Sequence, residues 1–185
     1  MIIILGKTSS GKDFILNRLV NEHNFKKATT YTTRPMRDGE IQGVTYHYLT
    51  DEEFDNKIKE GFFAEYKTYE TAFGIWKYGS SKDSFNNSDS KTIIILTPDG
   101  YRDVLNTLDE KPTAIYIYAN NKTIKERLKK RGDSKEEAER RLMHDNEDFK
   151  GIENIVDKIV YNNFNNDIDN VVKLIIEYLK RKGCE

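Results

Sequence analysis

Near the N-terminus, two glycines and a lysine are spaced as in a phosphate-binding loop. Residues 6–13 read Gly-Lys-Thr-Ser-Ser-Gly-Lys-Asp and follow the apolar run Ile2–Leu5. A glycine-rich turn between a strand and a helix presents backbone N–H groups to phosphate oxygens, and the helix N-terminus adds positive potential. Lys12 would reach the β- and γ-phosphates of a nucleotide. The residues predicted to bind the triphosphate of ATP are Gly6, Ser9, Ser10, Gly11, Lys12 and Asp13.

Asp13 departs from this motif, which normally has Ser or Thr at this position to ligate Mg²⁺. A carboxylate can hold the metal, directly or through water, although it also repels phosphate. An acidic residue is also common in the first turn of a helix for structural reasons, because the helix dipole stabilises it. Metal coordination and stabilisation of the helix start are both open at Asp13.

A second group of residues suits recognition of a phosphorylated acceptor. Residues 32–40 read Thr-Thr-Arg-Pro-Met-Arg-Asp-Gly-Glu, so Arg34 and Arg37 flank a proline at a spacing of three. Two guanidinium groups placed in this way can converge on one phosphate and bind it with paired hydrogen bonds. The hydroxyls of Tyr46 and Tyr78 can share the same phosphate.

An acidic side chain offers a way to read a base. Glu65 ends the otherwise apolar stretch Gly-Phe-Phe-Ala-Glu. Guanine presents adjacent N1–H and N2–H donors, and one carboxylate can accept both in parallel. Glu65 is therefore a candidate to accept the donors of a guanine base.

In their order along the chain, these residues resemble the guanylate kinase family. The family pattern T-T-R-x-x-R-x-G-E-x-x-G-x-x-Y, then G-x-x-x-E, then Y-G-S/T, is almost intact between residues 32 and 81, and the resemblance runs from the glycine-rich loop to the end of the chain. It implies ATP- and Mg²⁺-dependent phosphorylation of a nucleoside monophosphate, GMP or dGMP, by direct in-line transfer. The resemblance also implies a set of acceptor-binding residues: Thr30, Arg34, Arg37, Tyr46, Glu65, Tyr78 and Ser80. The arginines and tyrosines would hold the phosphate, and the others would face the base.

Two departures from the family pattern concern the base pocket. Residues 66–77, which include Phe73, are a few residues longer than the family usually has, and they either reshape the pocket or extend a hairpin. Ile95 and Thr97 stand where family members usually carry an acidic pair. Thr97 can still hydrogen-bond to a base, so it joins the predicted acceptor site, but it brings no charge. Another nucleotide or a different small phosphate therefore stays open as the acceptor.

Four arginines lie close together in the C-terminal half of the chain: Arg127, Arg131, Arg140 and Arg141. Arginines neutralise the charge on a phosphoryl group during its transfer. The resemblance selects Arg131 and Arg141 as catalytic lid residues alongside Lys12, and it places Asn162 near the adenine. Ser134 and Glu137 have the spacing of a capping box at the start of the following helix. We interpret His144 in that helix as structural, because an acceptor phosphate is already an anion and needs no general base.

The arrangement of apolar segments predicts an α/β fold with a parallel sheet covered by helices on both faces. Four strands are expected: Ile2–Leu5, 92–97, 114–119 and 159–161. Helices are expected at 13–22, 51–60, 100–108, 122–130 and 168–182. The P-loop core would comprise residues 1–29, 82–126 and 145–185. A mixed or antiparallel monophosphate-binding insertion would occupy residues 30–81, and a short arginine-rich lid residues 127–144.

Composition limits the class of protein. Thirty Lys and Arg balance 31 Asp and Glu in 185 residues, so neither a nucleic-acid nor a membrane partner is expected. The N-terminal apolar run is too short for a signal sequence or a membrane span, and the single cysteine, Cys184, allows no internal disulfide. We expect a cytoplasmic enzyme, monomeric or homodimeric. The alternative from another class is a guanylate-kinase-like module that binds phosphopeptides without turnover, against which the retained Lys12 and lid arginines argue.

Overall fold

The computed structural model describes residues 1–71, 74–163 and 166–184. In chain order the strands are β1 (Ile2–Leu5), β2 (Lys26–Lys27), β3 (Tyr31–Thr32), β4 (His47–Tyr48), β5 (Phe63–Thr71), β6 (Gly74–Ser81), β7 (Thr92–Ile95), β8 (Thr113–Tyr118) and β9 (Lys158–Tyr161). The helices are α1 (Lys12–His23), α2 (Asp51–Lys59), α3 (Lys82–Asn86), α4 (Pro98–Thr107), α5 (Asn121–Arg131), α6 (Lys135–Asp148) and α7 (Ile168–Arg181). The predicted strands and helices are confirmed, with ends that differ by at most two residues.

The chain forms two compact units. The first consists of Met1–Lys27, Ser90–Asp99 and Pro112–Glu185, and the second of Ala28–Asp89 and Gly100–Lys111. Along the described part of the chain, each helix is too short or too polar to cross a bilayer.

The first unit is built on a five-stranded parallel sheet in the order β2-β7-β1-β8-β9. All four residues of β1 are fully buried, as expected for a central strand that is covered on both faces. On one face, α1 and α7 pack a continuous apolar cluster against alternate residues of β1 and β8. Helix α7 presents Val171, Ile175 and Leu179 to this cluster, at the spacing of one helix face. The parallel α/β core predicted from the sequence is confirmed.

The second unit contains a four-stranded mixed sheet in the order β4-β3-β6-β5. Strands β3 and β4 are parallel, whereas β6 runs antiparallel to both of its neighbours. Gly79 in β6 has no room for a side chain, since a Cβ there would lie 2.9 Å from Cδ1 of Phe63. The Phe63 ring in turn stacks on Phe54 of α2, with centroids 4.5 Å apart. The mixed sheet expected from the sequence is thus present.

Of the long segment at residues 66–77, residues 66–71 and 74–77 form the outer part of a hairpin. Strands β5 and β6 pair continuously from Tyr66 opposite Gly79 to Thr71 opposite Gly74. Phe73 lies outside the described residues. The described residues of this segment therefore lengthen a pair of strands, which was one of the two interpretations left open by the sequence.

Candidate functional site

The glycine-rich loop connects β1 to α1 and has a tightly constrained backbone. Gly11, the N-cap of α1, has φ +94°, and a Cβ at this position would lie 2.5 Å from Nδ2 of Asn162. Ser9 has φ +52°, which a side-chain-bearing residue rarely adopts. The buried Ser10 hydroxyl lies over Gly6, where a Cβ would be 2.4 Å from Oγ. These contacts explain why glycine occupies both ends of the loop.

Lys12 lies at the start of α1 and folds back over the loop. Its Nζ donates to the carbonyl oxygen of Lys7 at 3.4 Å and lies 3.8 Å from Oδ2 of Asp13. The Lys12 side chain is largely buried, whereas that of Asp13 is 80% exposed. A cation thus stands over the loop, where the triphosphate is predicted to bind.

The exposed Asp13 carboxylate is a hard oxygen donor of the kind that Mg²⁺ prefers. Mg²⁺ in kinases commonly uses one or two protein carboxylates together with substrate phosphates and water. Among residues 1–71, 74–163 and 166–184, three or more acidic, His or Cys side chains nowhere converge on a point that could hold a metal ion. The exposed carboxylate of Asp13 itself suits a metal ion whose other ligands are phosphates and water.

Side chains distant in sequence hold the loop by its carbonyl groups. Arg127 of α5 donates from Nη1 to the carbonyl oxygens of Ser9 and Ser10, at 3.2 and 3.0 Å. The buried Asn162, which follows β9, donates from Nδ2 to the Ser10 carbonyl at 2.8 Å. Burial lowers the pKa of Arg127. Asn162, predicted to lie near the adenine, thus contacts the loop backbone.

The lid arginines are paired with carboxylates close by in sequence. Arg131, at the end of α5, forms two parallel hydrogen bonds to Asp133, at 2.6 and 2.7 Å. Arg141 of α6 donates to Glu137 at 2.6 Å, and Arg140 donates to the same carboxylate. Hydrogen bonds from Arg140 and then Arg141 lower the pKa of Glu137 to about 2.

The predicted capping box at the start of α6 is only half formed. The Ser134 hydroxyl accepts from the backbone N–H of Glu137, as expected. The Glu137 carboxylate pairs with Arg140 and Arg141 and does not return the bond to Ser134. Pairing of Glu137 with the two arginines therefore takes precedence over the second bond of the capping box.

In the second unit, one carboxylate organises both predicted phosphate-binding arginines. Oε1 of Glu40 accepts from the Arg34 guanidinium at 2.7 Å, and Oε2 accepts from the backbone N–H of Arg37 at 2.7 Å. Arg34 is 5% exposed, whereas Arg37 is exposed. The bonds from Arg34 and then Arg37 lower the pKa of Glu40 to about 2. The sequence alone assigned no role to Glu40, although this residue ends the segment at residues 32–40 that contains Arg34 and Arg37.

Aromatic rings surround this arginine. The Arg34 guanidinium carbon lies 5.6 Å from the centroid of Tyr46 and 5.8 Å from that of Tyr48. Tyr78 packs edge-on against Tyr46, and Tyr69 of the long hairpin packs edge-on against Tyr78. Three predicted phosphate-binding residues, Arg34, Tyr46 and Tyr78, are therefore neighbours.

Glu65 lies in β5 and is 8% exposed. The Ser80 hydroxyl donates to Oε1 of Glu65 at 2.5 Å. Burial raises the pKa of Glu65, and the bond from Ser80 only partly offsets this effect. Glu65 lines a cavity of about 470 Å³ between β5 and α4, together with residues such as Lys67, Asp103 and Asn106. Two predicted base-reading residues, Glu65 and Ser80, are thus hydrogen-bonded to each other.

The remaining predicted acceptor residues are Thr30 and Thr97. Thr30 belongs to the second unit, where its carbonyl oxygen accepts from the backbone N–H of His47 at 2.8 Å. Thr97 belongs to the first unit and is exposed just after the end of β7.

A first strand that leads through a glycine-rich loop and a lysine into a helix defines a P-loop nucleotide-binding protein. The guanylate kinase family model matches residues 1–182. A guanylate kinase from Wolinella succinogenes is 30% identical over 182 residues, which cover 95% of this chain and 81% of that protein. One from Clostridium tetani is 29% identical over 187 residues, covering 100% and 86%. The crystal structure of guanylate kinase from Anaplasma phagocytophilum has a TM-score of 0.69 at 23% identity, covering 98% of this chain and 85% of that one.

The chain belongs to the guanylate kinase family. The similarity to the Anaplasma structure supports the same fold.

Proposed function

We propose that this chain transfers the γ-phosphoryl group of ATP to GMP. The observation that carries the proposal is the buried Glu65, hydrogen-bonded to Ser80, in the same unit as the buried Arg34. A buried carboxylate suits two adjacent N–H donors of guanine, and a buried guanidinium suits a phosphate. Family membership supports the same substrate pair.

In this reaction an oxygen of the GMP phosphate attacks the γ-phosphorus in line. The new P–O bond forms as the bond between the γ-phosphorus and the bridging oxygen breaks, and ADP leaves with that electron pair. The attacking oxygen is already anionic, so the protein supplies position and charge. The phosphate loop and Lys12 would hold ATP, Arg34 and Arg37 the acceptor phosphate, and Arg131 and Arg141 the transferring group.

Mg²⁺ that arrives with ATP would supply positive charge, which neutralises part of the charge on the phosphates. The exposed carboxylate of Asp13 is the residue that we propose to contact it, directly or through water. Asn162 enters the ATP site in this proposal by holding the loop backbone.

The roles of two segments and the cellular location are inferred from the sequence. We propose that residues 30–81 bind the monophosphate and that residues 127–144 form the lid over the core. A cytoplasmic location stays a prediction.

The experiment is a panel of acceptors measured by ADP release with ATP and Mg²⁺. We expect GMP and dGMP to accelerate ADP release strongly, and AMP, CMP and UMP to do so weakly. The variant Lys12→Met should lose activity by about a hundredfold or more, because a cation that neutralises transferring phosphate is removed. ADP release that no monophosphate accelerates would rule out the proposed reaction. A preference for another monophosphate would support kinase activity but reject GMP as the acceptor, an outcome that the uncharged Thr97 leaves open.

A further inference from the structure

The last turn of α6 is attached to the phosphate loop at two consecutive residues. The backbone N–H of Thr8 donates to Oδ2 of Asp145 at 2.6 Å. Nζ of Lys7 donates to Oδ1 of Asn146 at 2.5 Å. Two bonds between adjacent residues on each side fix the orientation of the loop as well as its distance from the helix.

The hydrogen bond between Thr8 and Asp145 is of a strong type. A carboxylate that accepts a backbone N–H forms a charge-assisted hydrogen bond, about twice as strong as a neutral one. Burial raises the pKa of Asp145, while the bond from Thr8 and the charges of Lys12 and Lys7 oppose that rise. Thr8, Lys12 and Lys7 of the loop thus favour the charged carboxylate, whereas burial and the like charge of Asp148 raise its pKa.

The loop needs such support because its own backbone is strained. Ser9 has a positive φ, a conformation that persists in a non-glycine residue only where the surroundings enforce it. Arg127 and Asn162 bind the loop carbonyl groups after this point, whereas Asp145 binds the N–H group before it. The strained residue is therefore held from both neighbouring peptide segments.

Helix α6 also carries the lid arginine Arg141, one turn before Asp145. Residues four apart in a helix share one face. The helix that presents Arg141 is therefore the same one that is fixed to the phosphate loop.

We propose that Asp145 and Asn146 are positioning residues that hold the phosphate loop and the lid helix in one fixed arrangement for the phosphates of ATP. They act on the loop through Thr8 and Lys7, and on Arg141 through the helix that carries all three residues. The proposal rests on the ATP site of the proposed function and adds to it two residues outside the predicted acceptor site.

The first test is the equilibrium affinity for ATP with Mg²⁺, measured by calorimetry without an acceptor. Asp145→Ala should weaken ATP binding by about tenfold, the size expected for loss of one charge-assisted hydrogen bond. Asp145→Asn retains an oxygen that can accept the Thr8 N–H, so its affinity should stay within about threefold of the unchanged protein. Glu147→Ala, an exposed change on the same turn, is the matched control and should leave ATP affinity unaltered.

The outcome that would contradict the proposal is ATP binding that is not weakened in Asp145→Ala. A carboxylate near Lys12 could compete with ATP for that cation, in which case Asp145→Ala would bind ATP more tightly than the unchanged protein. Tighter or equal binding by Asp145→Ala, or no recovery in Asp145→Asn, overturns the proposal. Failure of the unchanged protein to bind ATP at all would instead reject the proposed function.

A second measurement does not depend on Asp145 variants remaining folded. Lys7→Met and Asn146→Ala should each weaken ATP binding, and the double variant should be no weaker than the more impaired single variant, because both remove one contact. If the two substitutions weaken ATP binding by factors that multiply in the double variant, the contact between Lys7 and Asn146 has no role in ATP binding. With turnover, the same variants should raise the KM for ATP and leave the KM for GMP within about twofold.

Discussion

The environment of Glu65 opposes the charge that its proposed role requires. The side chain is buried in β5, and burial raises the pKa of its carboxyl above the usual range. One hydroxyl, that of Ser80, donates to it. Guanine would supply two further donors, so GMP binding should favour the ionised form.

The first prediction is that Glu65→Gln loses guanine preference. An amide offers one acceptor oxygen and two unwanted donors, so kcat/KM for GMP should fall by about tenfold to a hundredfold while AMP is little affected. Kinetic comparison of the two acceptors checks this result. Glu70→Gln, an exposed change in the same strand, is the control. Unchanged discrimination between GMP and AMP would remove Glu65 from the base pocket.

The same residue predicts how stability depends on pH. A raised pKa means that the folded state binds this proton more tightly than the unfolded state, so Glu65 lowers stability as pH rises from the ordinary Glu pKa through the raised value. Above that window the loss is complete. Glu65→Gln should lack this component and therefore be more stable than the unchanged protein at neutral pH. Denaturant unfolding at several pH values measures the difference, and a less stable variant at neutral pH would contradict it.

The sequence allows the positions of residues to be predicted where these follow from local order along the chain, while their roles stay predictions. Lys12 and the glycines of the loop fall where a strand–loop–helix motif requires them, and Arg34, Tyr46 and Tyr78 are neighbours in the structure. Asp145 could not be found in this way, because its contact with Thr8 spans 137 positions of the chain. An Asp after a His on a helix carries no pattern that predicts such a contact.

Among the elements, the turn from Arg34 to Glu40 has the most direct consequence for function. Glu40 holds the Arg34 side chain and the Arg37 backbone at once, so it shapes the segment that would bind the acceptor phosphate. Its pKa of about 2 shows that the carboxylate is stabilised in the folded state. This contribution to stability is present above the ordinary Glu pKa and is lost as pH falls from there toward 2.

We predict that Glu40→Gln raises the KM for GMP by about tenfold, since the charge that orients Arg34 is removed. The KM for ATP should not change. Asp38→Asn, an exposed substitution in the same turn, should leave both constants unaltered. Steady-state kinetics with each substrate varied in turn provides the measurement, and a comparable rise for ATP would point to a general folding defect.

The long elements were predictable because their residue patterns are strong. The apolar β1 and the amphipathic α7 were located to within one residue at each end. The two-residue strands β2, β3 and β4 were not identified separately, because pairing partners distant in sequence define them. The hairpin of β5 and β6 was one of two open interpretations, and its pairing register needed the structure.

For the whole molecule, the two units predict separate responses to the two substrates. We expect ATP to slow hydrogen exchange in the phosphate loop and α6, and GMP to slow it in residues 30–81. Ligand binding raises the free energy of opening by an amount set by concentration over Kd, about 2.7 kcal/mol at 100 times Kd. Exchange followed by mass spectrometry with each ligand alone checks this. Protection of residues 30–81 by ATP alone would reject the assignment of that segment to the acceptor.

The pairing of the lid arginines has a consequence for which anions the empty enzyme attracts. Arg131 and Arg141 already contact Asp133 and Glu137, so a small anion would have to displace a carboxylate held close by in the same chain. Inorganic phosphate would make few contacts in exchange, whereas ATP in the proposed site would also engage the loop and Lys12. We therefore expect phosphate to be a poor competitor of ATP, and Asp133→Asn together with Glu137→Gln to make it a better one, as inhibition assays would show. If so, Asp133 and Glu137 would act as a filter against abundant anions that share only part of the chemistry of the substrate.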